Sequence, residues 1–544
     1  MSAAEKLVME ESVTVNKIGG VNTSHPDEIL NLVKVLKKQG EAPVLVVSAF
    51  GKDEKKGEKE GITNELIAAL GKLNKIDYDE KTIEAEITEA FKTVMEITNR
   101  RIDDFIKTEP FKKQAQEHVQ KEMDICIEIL KTHKKVMKTL DPDEKTYTTR
   151  DKIIAFGERS VIGILEAYLK ENGIDAKAIN DVEYKGNGEK ASKSELHKGI
   201  QKGIAESLNP YKDKIGEQVL IIGGHVKNVL RGMVKEIGRS YTDTTAVDVT
   251  VALEKILGVS VDSTVAWKDV DGVMSSAPNQ MDKSINPSTG KAINTPIVHG
   301  DMSLEEGLEM AGVSTLMQVD ALGLALEEEI SLSLKNIKKP HEEGTTFHVD
   351  EVITDLPFKV VMANKMEDTI SCKIPSMAAG PGFAAALTKA FADNNVSIND
   401  IITSSTAVNF TINLPPDEAD VKELRKRIRK TIIKLKKVEI DSEIYKCRTK
   451  WYKQNKANVV VIGDELRNAK GILNVLTGVM SSQGINIEMI EQTEEQRKIS
   501  FYVNHKDAHK AVQALHRVFI DKDKDFAKGV VAKIEENVER FLSK

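Results

Sequence analysis

Several short segments of this chain set ionisable side chains beside glycine turns. Lys17-Ile18-Gly19-Gly20 closes an apolar run near the start. Glycines there let backbone N–H groups approach phosphate oxygens, and the lysine supplies a mobile cation for transferred charge. The G-x-x-x-x-G-K-[ST] pattern of a P-loop is absent, and taken alone the four residues read more simply as a strand-end turn. Gly223-Gly224 follows another buried run and offers a further phosphate-approach turn, with the same simpler alternative. In GRSYTDTTA, residues 238–246, Arg239, a hydroxyl pair and Asp243 precede a helical stretch. An arginine fork grips a carboxylate and a nearby aspartate receives an ammonium group, so the segment suits an amino acid. A helix start capped by Thr242 or Asp243 is the competing reading, and the two are compatible.

FGERS, residues 156–160, places Glu158 at the start of a helix, as a favourable dipole charge or a second ammonium acceptor. WKDVDGVMSSAP, residues 267–278, puts Asp269 and Asp271 in a strand-end loop, facing a nucleotide or forming an Asx turn before Gly272. No His/Cys cluster has metal-ligand spacing and no nucleophile–base set for acyl transfer stands out. Any metal would be magnesium carried largely on nucleotide phosphates.

The elements that must position these residues follow from periodicity. SVTVNKIGG, PDEILNLVKVLKKQG and APVLVVSAFG read as strand, helix and doubly buried strand, the opening of an α/β sheet domain. Helical, highly charged sequence runs from Thr63 to about Leu140, and EQVLIIGGH is a further buried strand. Residues 275–300 form a long loop. Ser303 caps the helix MSLEEGLEMAG, with Glu306 at the capping-box spacing. Pro340 to Gly344 marks a domain boundary.

The last third contains a duplication. Gly382-Phe383 aligns with Gly471-Ile472, and Val396-Ser397-Ile398 with Ile485-Asn486-Ile487, both offset by 89 residues. A long offset shared by turn, helix and strand signals indicates two copies of one module. Each copy reads as a β-α-β-β-α-β, ferredoxin-like unit. The basic run Arg425 to Lys437 carries Ile428, Ile432, Ile433 and Leu435 near helical spacing, which favours a solvated amphipathic helix over a nucleic-acid patch.

At 544 residues the chain exceeds one core, and its net charge of −7 argues against a nucleic-acid partner. The three cysteines, Cys126, Cys372 and Cys447, lie far apart in sequence, which fits a reducing compartment. With neither a signal peptide nor a membrane-spanning run, a cytoplasmic protein is expected.

Taken in order, these segments resemble the aspartate kinase branch of the amino acid kinase family, with paired ACT regulatory domains. KIGG resembles its opening K-[FI]-G-G. VVSAFG with GITNELIAAL resembles the segment whose serine and threonine meet the amino acid. FGERS, GRSYTD and WKDVDGV resemble its glutamate, arginine and nucleotide-side motifs. The resemblance implies a three-layer αβα kinase sandwich over residues 1–340, then two ACT domains. These would cover 355–452, with 525–544 as a candidate completing element, and 456–522. It implies phosphorylation of L-aspartate by ATP, with magnesium on the nucleotide, to 4-phospho-L-aspartate.

By the same resemblance Lys17 and Asp243 are catalytic, and Ser48, Thr63, Glu158, Arg239 and Thr242 bind the amino acid. Gly19, Gly20, Gly223, Lys268 and Asp269 lie on the nucleotide side. Asp400, Thr403 and Ser405 contact an effector, lysine or threonine being the family expectation, in a homodimer or higher homo-oligomer. Several positions depart from the pattern. Val21-Asn22 replaces Thr-Ser, Ala277-Pro278-Asn279 replaces Asp-Pro-Arg, GVSTLMQVDAL replaces F-G-A-K-V-L-H-P, and Thr406 replaces a glutamate. These departures leave a second reading, a catalytically degenerate, kinase-like regulatory protein that binds an amino acid.

Overall fold

Near-continuous apolar runs build a parallel sheet. β1 (Ser12–Ile18), β2 (Glu41–Val47), β3 (Ala176–Ile179), β4 (Val219–Gly223) and β5 (Val261–Lys268) lie in the order β3-β4-β2-β1-β5, every neighbour parallel. β6 (Asp301–Ser303), β7 (Leu332–Asn336) and β8 (Thr345–His348) extend it as β5-β7-β8-β6, with only the β7–β8 pair antiparallel. The structure is a computed structural model. It describes residues 12–52, 61–73, 83–136, 142–186, 191–238, 241–281, 296–314, 316–364, 367–375, 382–414, 418–440, 442–492, 495 and 497–542.

A parallel sheet must be covered on both faces, and the strand residues divide accordingly. Leu45 and Val47 enter a core shared with Ile29, Leu32 and Val33 of the Pro26–Lys38 helix and with the Ile83–Phe105, Glu109–Val136 and Pro142–Glu171 helices. Val44 and Val46 enter the opposite core, with Ile200 and Ile204 of the Lys193–Leu208 helix and Val249 of the Tyr241–Val251 helix. This is the expected three-layer αβα sandwich. Ser303 and Glu306 form the expected capping box: the Glu306 amide donates to Ser303 Oγ at 3.1 Å and the Ser303 amide to Glu306 Oε2 at 2.9 Å.

The expected boundary at Pro340 to Gly344 is corrected by the structure. These residues turn the chain between β7 and β8 of one sheet, with Gly344 at φ +70°. Proline and glycine mark a tight hairpin as readily as a linker. The first compact unit therefore continues to Glu351, whereas residues 274–299 and 312–314 group with the second.

The second unit is built on one seven-stranded sheet. β9 (Val360–Ala363), β10 (Glu367–Lys373), β11 (Ile401–Thr403), β12 (Ala407–Asn413), β13 (Arg448–Ile462), β14 (Ile487–Gln492) and β15 (Lys498–Asn504) are all antiparallel to their neighbours. β13 serves both copies of the repeat: its first half pairs with β10, its second half with β9 and β15. The expected division between residues 452 and 456 falls inside this strand. Gly382 and Gly471, aligned in the repeat, both start helices from a left-handed backbone, at φ +98° and +79°. Residues 525–544 do not complete the first copy. Within the Lys524–Leu542 helix, Phe526, Val530 and Ile534 join the core of the second copy, beside Leu476 and Leu515. Among the described residues no helix is long and apolar enough to cross a membrane.

Candidate active site

Because β1, β2, β4 and β5 are parallel, their carboxyl ends share one edge of the sheet. The order around β1, with β2 on one side and β5 on the other, makes that edge a switch point where ligands of open α/β sheets bind. Lys17, Ser48, Gly223 and Lys268 all lie there.

Lys17 is only 7% exposed and its Nζ stands 2.5 Å from Asp243 Oδ1. Asp243 sits in the first turn of the Tyr241–Val251 helix, so the ion pair joins the end of β1 to that helix. Gly19 follows close by: a Cβ there would sit in ordinary van der Waals contact with Lys17 Nζ, 3.5 Å away. The turn that follows packs backbone on backbone. The Gly51 amide donates to the Gly20 carbonyl at 2.6 Å, and a Cβ on Gly51 would lie 2.7 Å from that carbonyl group. Val21 is exposed, but the Asn22 side-chain Nδ2 donates to the Trp267 carbonyl at 3.2 Å, tying the turn to β5. Thr23 and Ser24 donate back to the Gly20 carbonyl at 2.8 and 3.3 Å.

A chain of hydroxyls continues from β2. Ser48 Oγ donates to Thr242 Oγ1 at 3.0 Å, and Thr242 Oγ1 donates to Glu158 Oε1 at 3.2 Å. Glu158 is 4% exposed, and its Oε2 is buried without a well-directed hydrogen bond. Burial pushes its carboxyl up to about 7, against the His225 amide and the Thr242 and Tyr241 hydroxyls, which favour the charged form. The same burial, with Glu158 nearby, holds the Tyr241 phenol well above its ordinary range.

Ser48, Thr63, Glu158 and Thr242 line one cavity of about 490 Å³, together with Gly20 and Arg150. Lys268 approaches the Lys17–Asp243 pair from β5. Burial lowers its pKa, and Asp243, Lys17 and Asp269 all act on it electrostatically. Its Nζ donates to the Leu316 carbonyl. Asp269 is exposed, and Asp271 accepts from Asn336 and Lys339 at 2.7 Å each. The described residues hold no group of three His, Cys, Asp or Glu side chains placed for a metal ion.

Two expectations need restating. Glu158 does not start a helix; it lies inside the Pro142–Glu171 helix. Gly157, beside it, is a close-packing residue, where a Cβ would meet Ala49 Cβ at 2.8 Å. Gly223 lies against Glu158, whose Cβ would stand 3.4 Å from a Cβ added there. Thr242 and Asp243 do not cap their helix but project from its first turn toward the site. Arg239 lies outside the described residues.

In the second unit Asp400 is buried. Its Oδ2 accepts from the Tyr502 hydroxyl, from Thr411 Oγ1 at 3.2 Å and from Asn399 at 2.7 Å. Thr403 and Ser405 are exposed.

Two residues escaped sequence reasoning. Arg150 and Ile154 lie two turns and one turn before Glu158 and line the same cavity. The i, i+4, i+8 spacing was available, but placing the helix start at FGERS hid it.

Residues 12–303 match the amino acid kinase family, more than half of the chain, and residues 459–519 match the ACT domain. This chain belongs to the amino acid kinase family. Among its relatives, Arabidopsis thaliana aspartokinase 1, chloroplastic, is 24% identical over 94% of this chain and 81% of its own length. The Candida albicans aspartokinase is 24% identical over 93% of this chain and 90% of its own. In fold, this family member is similar to Escherichia coli aspartokinase III, solved in complex with lysine and aspartate. The TM-score is 0.64 at 19% identity, covering 93% of this chain and 99% of that one. Clostridium acetobutylicum aspartate kinase gives a TM-score of 0.65 at 18% identity, covering 93% of this chain and all of its own.

Proposed function

We propose that this chain is an aspartate kinase, transferring the γ-phosphoryl group of ATP to the β-carboxylate of L-aspartate and releasing 4-phospho-L-aspartate and ADP. One juxtaposition carries the reading: the Lys17–Asp243 pair and the Ser48–Thr242–Glu158 chain converge at one edge of the parallel sheet. The relatives named aspartokinase, and one E. coli aspartokinase III structure in complex with aspartate and ADP, support it.

The acceptor is a carboxylate, ionised at neutral pH, so no general base is needed. The residues position and stabilise charge. Asp243 orients Lys17 Nζ toward the transferred phosphoryl group, and Lys268 adds a second cation on the nucleotide side. Gly19 and Gly20 let the backbone approach the phosphates. Glu158 accepts the substrate ammonium, Ser48 and Thr63 order the acceptor, and Arg239 holds the α-carboxylate. Asp269, exposed at the end of β5, would face a magnesium ion brought in on the nucleotide phosphates, which would supply charge neutralisation there.

The ACT unit is read as the regulatory part, answering lysine or threonine through the exposed Thr403 and Ser405 in a homodimer or larger assembly. The enzyme so described works in the cytoplasm. A coupled ADP-release assay across aspartate, glutamate and N-acetylated amino acids, repeated with lysine and threonine added, tests this directly. ADP release with aspartate alone is expected. Tight aspartate binding without ADP release would favour the regulatory reading instead.

A further inference from the structure

One face of the ACT sheet buries polar side chains and an acid. Along β10, β12, β13 and β15, Ile370, Phe410, Val459 and Phe501 enter the two apolar cores. Side chains alternate along a strand, so Glu367, Thr369, Thr411, Asn458 and Tyr502 share the opposite face. Each of these five is at most 2% exposed. The face spans both copies of the repeat. Glu367 and Thr369 belong to the first, and Asn458 lies in the half of β13 that pairs with β15 of the second.

Three buried oxygens on this face have no hydrogen-bond partner: Glu367 Oε2, Thr369 Oγ1 and Asn458 Oδ1. Asn458 turns its Nδ2 toward Ser500 Oγ and the Tyr502 hydroxyl, at 3.4 and 3.3 Å, which leaves its Oδ1 open. Asn399 Nδ2 donates to Glu367 Oε1 at 3.4 Å and to Asp400 Oδ2 at 2.7 Å. The two carboxylates therefore stand within about 6 Å, where each opposes the other's ionisation. Asp400 is the better supplied, since Thr411 Oγ1 and the Tyr502 hydroxyl also donate to it. Glu491 of β14 adds a further negative charge acting on Glu367.

The neighbouring cations are committed elsewhere. Lys456, opposite Glu367 on β13, pairs with Glu488 of β14 at 3.0 Å. Arg425 pairs with Asp368, whose side chain lies on the core side of β10. Among the described residues no ion pair reaches Glu367. A buried carboxylate is tolerated when it is protonated, paired or bound to a metal.

We propose that Glu367 Oε2, Asn458 Oδ1 and Thr369 Oγ1 form a binding site for a monovalent metal ion, potassium or sodium, where the two ACT copies join. An all-oxygen donor set suits a hard cation. One open carboxylate oxygen beside two neutral oxygens matches a single positive charge. Among the described residues no group of three His, Cys, Asp or Glu side chains is placed to hold a more highly charged ion. The ion takes the place of the proton that burial otherwise keeps on Glu367. Once bound, it fastens a strand of the first copy to a strand of the second. The site is independent of the aspartate kinase reading, because none of its residues belongs to the kinase unit.

The test melts the full-length protein by calorimetry at pH 9, in potassium or sodium chloride against choline chloride of equal ionic strength. Either metal salt should raise the ACT-unit transition by roughly 3–8 °C, as expected for a ligand that binds only the folded state. At pH 5, where Glu367 keeps its proton, the shift should vanish. Glu367→Gln has the same shape without the charge and should melt alike in all three salts. In choline at pH 9 it should melt above wild type, and potassium should close that gap. Thr369→Val, which removes one oxygen, should lose at least half of the shift. Crystals of wild type grown in rubidium chloride should show an anomalous peak in contact with Glu367 Oε2. Equal shifts in wild type and Glu367→Gln, an undiminished shift at pH 5, or no rubidium peak overturns the proposal. So does stabilisation by calcium chloride with none from potassium or sodium. If Glu367→Gln does not fold, Thr369→Val and the rubidium peak decide.

Discussion

Lys17 shows how one side chain is prepared for charge transfer. Its ammonium is buried and held by Asp243 at 2.5 Å. Lys17→Ala should lower kcat about a hundredfold or more, the size expected when one donor to developing charge is lost. Aspartate affinity, measured by calorimetry, should change little; a variant with normal turnover would remove Lys17 from the chemistry. Glu158 makes a pH prediction. Its carboxyl is raised to about 7, so below that pH the empty site holds it neutral, and the substrate ammonium must meet the ionised form. The aspartate KM should therefore fall as pH rises from 6 to 8, with protons released on binding. Glu158→Gln should raise KM and flatten that slope. A slope surviving in the variant would place the titration elsewhere.

At the scale of elements, the site depends on close backbone approaches that only glycine allows. The turn after β1 and the turn after β2 touch through Gly20 and Gly51, where an added Cβ would overlap backbone atoms at 2.7 Å. Backbone cannot yield as a side-chain tip does. Gly51→Ala should cost about 1–3 kcal/mol in chemical denaturation, the usual price of overpacking, and should also reduce kcat by displacing the Gly20 turn. Gly529, exposed in the Lys524–Leu542 helix with nothing within 4 Å, is the control. Alanine there should stabilise by roughly 0.5–1 kcal/mol, because it lowers backbone entropy in the unfolded chain. Equal effects at the two positions would show that packing at Gly51 is not the cause.

For the whole molecule, the two compact units share one electrostatic tendency. In the ACT unit Glu367 is fully buried, with Oε1 accepting from Asn364 and Asn399 at 3.3 and 3.4 Å and Oε2 unpaired. Burial first, then the Asp400 charge, raises its carboxyl to about 8. Glu158 is raised in the same direction in the kinase unit. A raised folded pKa gives stability that is fully present below the unfolded value of 4.5 and is lost as pH climbs through the folded value. Stability should thus decline from pH 5 to pH 9. Glu367→Gln should be the more stable protein at pH 9, by an amount on the order of a few kcal/mol, with the gap closing near pH 5. Parallel denaturation curves for the two proteins across that range would refute the assignment.

The amino-acid order by itself determined the opening of an α/β sheet domain and a duplicated ferredoxin-like module, while the resemblance to a known family supplied the αβα sandwich, the ACT identity and the roles expected of the site residues. The first two rest on local signals: doubly buried β-branched runs, glycine turns and a repeat period survive in one dimension. Ser303 with Glu306 was legible for the same reason, since a capping box spans only four residues. What the tertiary structure alone decided depended on contacts between distant segments. FGERS reads as a helix start until the Pro142–Glu171 helix is seen to run through it, which puts Glu158 mid-helix with Arg150 on the same cavity. Gly223 reads as a phosphate-approach turn, and only the fold shows that it also packs beside Glu158. β13 reads as two strands until its two halves are seen pairing with different partners, and the Lys524–Leu542 helix is placed by Val530 and Ile534 in the second ACT core. In each case burial is a property of the neighbour rather than of the residue, and the neighbour lies tens to hundreds of positions away.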